Sequence, residues 1–261
     1  ANTGIRAARG PWIARMDADD CALSGRFAKA FAYAQARSEI GVVTGRVEPL
    51  NSCGAGMDRY IDWVNQLDDH GMMAANRFVE SPVINPSAMV RQDWLEWAGC
   101  YRDVPWAEDH DLWLRLIEGG CMMARMPDVI LSWRDSPNRL TRADPRYGEA
   151  ARMAMRAHFL SRMSLIRERG VSICGAGKIG KMLARRLHGE GVSVHAFHEV
   201  NRRKHGQIIH GVMVRDAHEL SAGEDRPVLL GAVGVVGGRE RVRQLACQHG
   251  YREGVDYWPI C

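Results

Sequence analysis

Three strings in this chain carry residue types that can do chemistry, two acidic and one rich in glycine. Met16-Asp17-Ala18-Asp19-Asp20 puts three carboxylates within four residues, and such charges repel unless a cation lies between them. Hard oxygen ligands favour Mg²⁺ or Mn²⁺, and such an ion brings a phosphate partner, here the diphosphate of an activated donor. The same string also reads as an exposed acidic turn that caps the next helix. Glu108-Asp109-His110-Asp111 is the second string. One of its carboxylates, aimed off a helix start towards a pocket, is a candidate general base. Equally, acidic residues in a first helical turn complement the macrodipole and need no function. The third string, Gly175-Ala176-Gly177-Lys178-Ile179-Gly180, is GxGxxG after an expected strand and at the opening of an expected helix. Its glycines let a phosphate reach the helix N-terminus, or they serve tight packing alone. Glu199 ends the next expected strand, where a ribose-binding acid belongs, and Arg202, Arg203 and Lys204 follow it to meet an extra phosphate.

The elements that must position these residues follow from the hydrophobic pattern. Trp12–Met16 reads as a strand running into the acidic turn, and Ser24 caps a helix carrying Phe27, Ala30, Phe31 and Ala34. Ile40–Val47 is a β-branched strand, 57–79 is mostly helical, and Ser87–Val90 is a short strand before a helix through Trp94 and Trp97. Leu112, Trp113, Leu116 and Ile117 share one face of a helix over 108–118 that ends at Gly119-Gly120, and Val129–Trp133 is a strand. Asp135–Arg146 looks like an ordered loop, and 147–169 is helical and Arg-rich. The pattern then resets: strand 171–174, helix 178–188, strands 192–198, 212–214 and 228–233, and helix 239–249. That second half reads as a small βαβ unit.

Composition bounds the answer. A chain of 261 residues, 46% hydrophobic and 25% charged, can bury a real core as one large domain or two modest ones, which excludes disorder, collagen and coiled coil. Its apolar runs fall short of a membrane span, and its start has no signal-peptide layout. Seven scattered cysteines, Cys53 among them, form no CxxC and suggest a reducing, cytoplasmic compartment, with a partner able to hold the protein at the inner face of a membrane. Residues 1–150 hold 17 Lys/Arg against 21 Asp/Glu, net −4, whereas residues 151–261 hold 18 against 10, net +8. Two units of different character fit that asymmetry. Nucleic acid is disfavoured, because few aromatics accompany the arginines and no nucleic-acid motif is present. The ten histidines are scattered singly, and the tryptophans near the second acidic string (Trp94, Trp97, Trp106, Trp113) suit a core.

The run from Asn2 through Trp12-Ile13-Ala14-Arg15-Met16-Asp17-Ala18-Asp19-Asp20 resembles the metal-binding segment of family 2 glycosyltransferases, which have the GT-A fold. The resemblance continues in order through Glu39–Gly45, Asn85–Arg91, Glu108–Leu116 and Leu131–Arg134, and covers about residues 1–147. It implies that Asp17 and Asp19 form the DxD element, contacting the donor ribose and the metal on its diphosphate, with Asp20 assisting. Asp109 is then the base that deprotonates the acceptor hydroxyl, Glu108 orients it or binds acceptor, and the displacement inverts the anomeric carbon. Arg134, Arg139 and Arg142 are candidates to neutralise phosphate. The family's roughly 80 residues ahead of the DxD segment have no counterpart here, so the expected GT-A domain is incomplete. Gly175–Lys181, Ala196–Val200, His210–Val212 and Gly231–Gly234 resemble the small Rossmann-like domain appended to some bacterial sugar-transfer proteins.

The resulting expectation is an α/β chain: an incomplete GT-A domain over 1–147, a helical connector over 148–169 and a Rossmann-like domain over 170–261. As part of a longer protein it transfers sugar from a nucleotide-diphospho-sugar to a glycan, lipid-linked or protein acceptor in bacterial cell-surface polysaccharide synthesis. Site residues are Asp109 and Glu108 for catalysis, Asp17, Asp19 and Asp20 for Mg²⁺ or Mn²⁺, Asp17 and Arg134 for the donor, and Gly175, Gly177, Gly180 and Glu199 for NAD(P). Two alternatives stand beside it. One is an NAD(P)-dependent oxidoreductase, disfavoured because no Ser/Tyr/Lys or His/Asp set follows the fingerprint; the other is a non-catalytic nucleotide-sensing module.

Overall fold

The structure is a computed structural model and describes residues 1–51, 54–136, 139–221 and 223–261; Cys53 lies outside them. The chain divides into two compact units, one of residues 1–77 and 81–148, the other of 78–80 and 149–261. Among the described residues no helix is long and apolar enough to cross a membrane, and the six described cysteines are free.

In chain order the first unit comprises α1 (Asn2–Ala7), β1 (Trp12–Ala14), β2 (Cys21–Ala22), α2 (Arg26–Gln35), β3 (Ile40–Pro49), α3 (Ala55–Val64), α4 (His70–Asn76), β4 (Met89–Arg91), α5 (Gln92–Trp97), α6 (Glu108–Glu118), β5 (Met122–Trp133) and α7 (Leu140–Ala143). Its mixed sheet has the order β1-β4-β3-β5-β2, with β3 parallel to β5 and the other pairings antiparallel. Successive residues of a strand face opposite sides, and β3 uses both. Val42 packs in one core with Leu112, Trp113 and Leu116 of α6, and Val43 in another with Ala30 and Ala34 of α2. Gly45 is required by close approach, since a Cβ there would meet the Ile130 side chain at 2.6 Å.

Several elements differ from the sequence reading, each for a local reason. The helical stretch expected over 57–79 is two helices. Asn65 leaves the first to exchange hydrogen bonds with the Val47 backbone (3.0 and 2.8 Å), and the Asp69 carboxylate caps the second by accepting from Met72 N–H. The strand expected at Ser87–Val90 begins at Met89, because Pro86 and the Ser87 hydroxyl, which donates to the Ile84 carbonyl, hold 85–87 in a 3₁₀ turn. β5 starts seven residues before the expected Val129, at Met122. Its pattern was hidden by Arg125, a buried cation donating to the carbonyls of Leu67, Gly45 and Pro82. The loop expected over Asp135–Arg146 contains α7 and a 3₁₀ turn, Pro145–Tyr147.

The second unit contains α8 (Glu149–Ser161), α9 (Ser164–Arg169), β6 (Val171–Cys174), α10 (Lys178–Gly189), β7 (Val194–Glu199), β8 (Ile208–Ile209), β9 (Val212–Asp216), β10 (Val228–Gly231), α11 (Gly238–Gln248) and β11 (Tyr257–Pro259). Its sheet order is β11-β10-β6-β7-β9-β8, parallel except for the β8–β9 hairpin. Counting only parallel strands, the first lies at the centre with the second and third on one side and the fourth and fifth on the other. That is the 3-2-1-4-5 strand order of a doubly wound α/β fold. The helices expected as a connector over 148–169 belong instead to this unit: α8 packs on α10 and buries Met153, Met155 and Leu160 completely. The strands β8 and β11 escaped the sequence reading, the first for its two-residue length and the second because it ends in Pro259.

Candidate functional site

The acidic turn leaves β1 at Arg15 and is braced from below. Arg26, at the start of α2 and 3% exposed, donates to the carbonyls of Arg15 (2.7 Å) and Pro86 and to Met16 Sδ (2.9 Å). Burial lowers its pKa and the charge of Asp20 opposes that shift. Asp17 pairs with Arg15 at 2.7 Å. Asp20 Oδ1 accepts the Arg134 backbone N–H at 2.9 Å, whereas its Oδ2 is buried with no hydrogen-bond partner among the described residues. Burial raises the Asp20 pKa, the neighbouring Asp17 and Asp19 add to the rise, and the Arg134 N–H opposes it.

Among the described residues no three His, Cys, Asp or Glu side chains gather as a metal cage, so the trio Asp17, Asp19 and Asp20 does not close on one point. The reason is visible in the partners: Asp17 turns to Arg15 and Asp20 into the base of the turn. The orphaned Asp20 Oδ2 beside two further carboxylates nevertheless fits a divalent cation whose remaining ligands come from the donor. The Arg134 guanidinium is engaged with the Asp19 carbonyl (2.7 Å), which makes it a brace of the turn. Arg139 lies over the Trp133 ring at 4.1 Å, and Arg142 pairs with Asp135 at 2.6 Å.

The second acidic string splits into two layers. Asp111 and Arg115 form a buried ion pair at 2.7 Å; Trp106 Nε1 donates to Asp111 at 3.0 Å, and Arg115 donates to the carbonyls of Ala98 and Cys100. Glu108 and Asp109 are half-buried at the helix start. Asp109 Oδ1 accepts the His110 N–H (2.7 Å), and Glu108 accepts the Tyr147 hydroxyl at 3.0 Å. Burial and then the charges of Asp109 and Glu108 raise the Tyr147 pKa.

Tyr101, absent from the sequence reading, ties α1 to the turn before β4. Its backbone exchanges hydrogen bonds with the Asn2 side chain (2.8 and 3.1 Å), and its hydroxyl donates to Asn85 Oδ1 at 2.7 Å. Burial raises the phenol's pKa; Arg15 pulls it down, and Asp109, Glu108 and Asp17 push it further up. One half-buried tyrosine is therefore influenced by charges of both the acidic turn and the α6 start. The available signal was two tyrosines, Tyr101 and Tyr147, flanking the acidic string among charged residues.

In the second unit the three fingerprint glycines are not equivalent. Gly175 has φ +113° and a Cβ there would meet the Ala232 carbonyl at 2.7 Å, while one at Gly180 would collide with the Gly175 carbonyl. At Gly177 a Cβ would meet nothing within 4 Å. Glu199 accepts from the N–H groups of Ala176, Val200 and Asn201 and from Lys204 at 2.8 Å. Burial pushes its carboxyl up, but these donors, Lys204 foremost, hold it below the usual range.

Comparison with known proteins bears on the first unit. Residues 1–97 match the model for glycosyl transferase family 2. The amylovoran biosynthesis glycosyltransferase AmsE of Erwinia amylovora is 27% identical over 145 residues, 51% of this chain and 48% of that protein. An uncharacterized glycosyltransferase of Methanocaldococcus jannaschii, MJ1057, is 26% identical over 152 residues, 53% of this chain and 46% of its own length. The chain thus spans about half the length of the curated relatives it matches. Residues 1–349 of S. aureus TarS, solved in complex with UDP, are 13% identical with a TM-score of 0.44, covering 71% of this chain and 48% of that one. Beside its acidic turn and its Glu108-Asp109 helix start, the chain thus shows over residues 1–97 a match to glycosyl transferase family 2, and over about half its length a likeness to two glycosyltransferases.

Proposed function

We propose that the first unit carries out metal-dependent, inverting transfer of a sugar from a nucleotide-diphospho-sugar to an acceptor hydroxyl. The observation that supports this reading best is Tyr101, whose phenol is influenced by the charges of Arg15 and Asp17 and also by those of Glu108 and Asp109. Donor-side and acceptor-side carboxylates then serve one site. Asp17 and Asp19 hold Mg²⁺ or Mn²⁺ on the donor diphosphate, with the unpaired Oδ2 of Asp20 beside them. Bound there, the ion supplies positive charge for the departing nucleoside diphosphate. Asp109 accepts the proton of the acceptor hydroxyl as that oxygen attacks the anomeric carbon from the face opposite the leaving group, which inverts the configuration. Glu108, fixed by the Tyr147 hydroxyl, orients the acceptor. Arg26 and Arg134 keep the acidic turn in place through its backbone carbonyls, so the turn is organised before donor arrives.

The likeness to AmsE, a biosynthetic glycosyltransferase, supports a growing glycan as acceptor, free, on a lipid or on a protein. The test is release of nucleoside diphosphate from a panel of nucleotide sugars with Mn²⁺ or Mg²⁺, with the product's anomeric configuration read by NMR. Turnover that persists in EDTA overturns the metal role, and a product retaining the donor's configuration overturns direct displacement.

A further inference from the structure

Glycosyl transfer leaves one cavity of the second unit unused. It encloses about 700 Å³ at the carboxyl ends of β6, β7 and β10, a size ordinary for small-molecule sites. Ile179, Val233, Val242 and Leu245 give it apolar walls, and Glu199 and Lys204 stand at its polar side. Two observations point to what it takes.

The first is Gly177. Gly175 and Gly180 are dictated by backbone conformation or packing, but Gly177 has φ −92° and ψ −168°, open to any residue, and empty space where a side chain would go. The fold itself has no need of glycine there. A ligand that must approach the backbone does, and Gly177 is the N-cap of the twelve-residue helix α10, without a side-chain cap on its first N–H groups.

The second is His198. It is 2% exposed, lines the cavity, and its Nδ1 donates to the Asp216 carbonyl at 3.2 Å. That fixes the tautomer and leaves Nε2 a lone pair with no partner among the described residues. Facing the cavity, that nitrogen can accept a hydrogen from a molecule bound there.

We propose that this cavity is a second nucleotide site, independent of the transferase centre, which takes a ribonucleoside 5′-diphosphate group. The diphosphate lies over Gly177 on the first N–H groups of α10, and the ribose hydroxyls donate to Glu199. The base stacks against the apolar wall and gives a hydrogen to His198 Nε2. Two kinds of molecule carry that group: a dinucleotide such as NAD(P)H, and a nucleoside diphosphate or its sugar ester.

Calorimetry on the full chain in EDTA, with NADH, NADPH, UDP and GDP in separate titrations, tests this. EDTA removes any metal-dependent donor binding in the first unit, and the cradle of N–H groups needs no metal. Binding of NADH or NADPH alone identifies the dinucleotide; binding of UDP or GDP alone identifies the nucleoside diphosphate; binding of both kinds supports the shared group. In each case Gly177→Val weakens binding by at least about tenfold at an unchanged melting temperature, and Glu199→Gln by about tenfold. If Gly177→Val melts early, Gly177→Ala carries the same test with a smaller side chain. Four silent titrations of a protein with native circular dichroism overturn the proposal, as does binding that survives both substitutions. Loss of glycosyl transfer has no bearing on either result.

Discussion

Asp109 and Asp111 lie two residues apart on α6 and do different work. Asp111 is buried against Arg115, and removing it strands a guanidinium in the core. Asp111→Ala therefore costs about 3–5 kcal/mol of stability, read as an early thermal or urea transition. Asp109→Asn leaves that transition in place but lowers turnover about 10²–10⁴-fold, with donor affinity little changed. If donor binding collapses while bound substrate still turns over, Asp109 binds rather than catalyses. Asp19→Asn removes metal-dependent turnover at unchanged melting temperature. In the second unit His198 is held below its ordinary 6.5, chiefly by burial, with Arg215 and His249 adding repulsion; the Asp216 carbonyl and Glu219 oppose the shift. The unfolded chain takes up this proton near 6.5 and the folded chain resists it, so stability declines as pH falls below about 6.5. Melts between about pH 7.5 and 5.5 should show that decline reduced in His198→Gln. An identical decline would sink the assignment.

The Gly175–Gly180 turn shows what one motif can hide. In the sequence its three glycines look alike; in the structure two answer to packing and one to open space. Gly180→Ala should destabilise by about 1–3 kcal/mol, because the new methyl group runs into a backbone carbonyl that cannot swing away. Gly177→Val should stay within about 0.5 kcal/mol of the parent. Equal losses at both positions would contradict this division. Strands β6 and β7 and helices α6, α10 and α11 were legible in the sequence because their apolar period is strong and turn residues or glycines mark their ends. Legibility failed where polar side chains take backbone partners. Arg125 satisfies three carbonyls from inside β5, and Asn65 breaks a helix to pair with Val47. In the site, the acidic residues were legible as types, but their partners were not: that Arg134 braces Asp19, or that Tyr101 is bonded to Asn2 and Asn85, depends on contacts between residues distant in sequence.

At the scale of the whole molecule the two units differ in how their parts depend on one another. Helix α8 buries Met153, Met155 and Leu160 and packs on α10, so residues 149–261 expressed alone should melt cooperatively and at higher temperature than residues 168–261. Equal melting of the two fragments would return α8 to the role of a connector. The pairing of β3 with β5 has a further consequence, in time rather than in energy. It joins Ile40 to Met122, 82 residues on, whereas β6 and β7 join Val171 to Val194, 23 residues on. Closing the longer loop costs more chain entropy before any contact rewards it. After dilution from urea the second unit should therefore regain structure first. Of the eight tryptophans only Trp258 lies in that unit, so its signal and that of the other seven are separable once Trp258 is replaced by Phe. The half written last in the chain should thus be the first to fold.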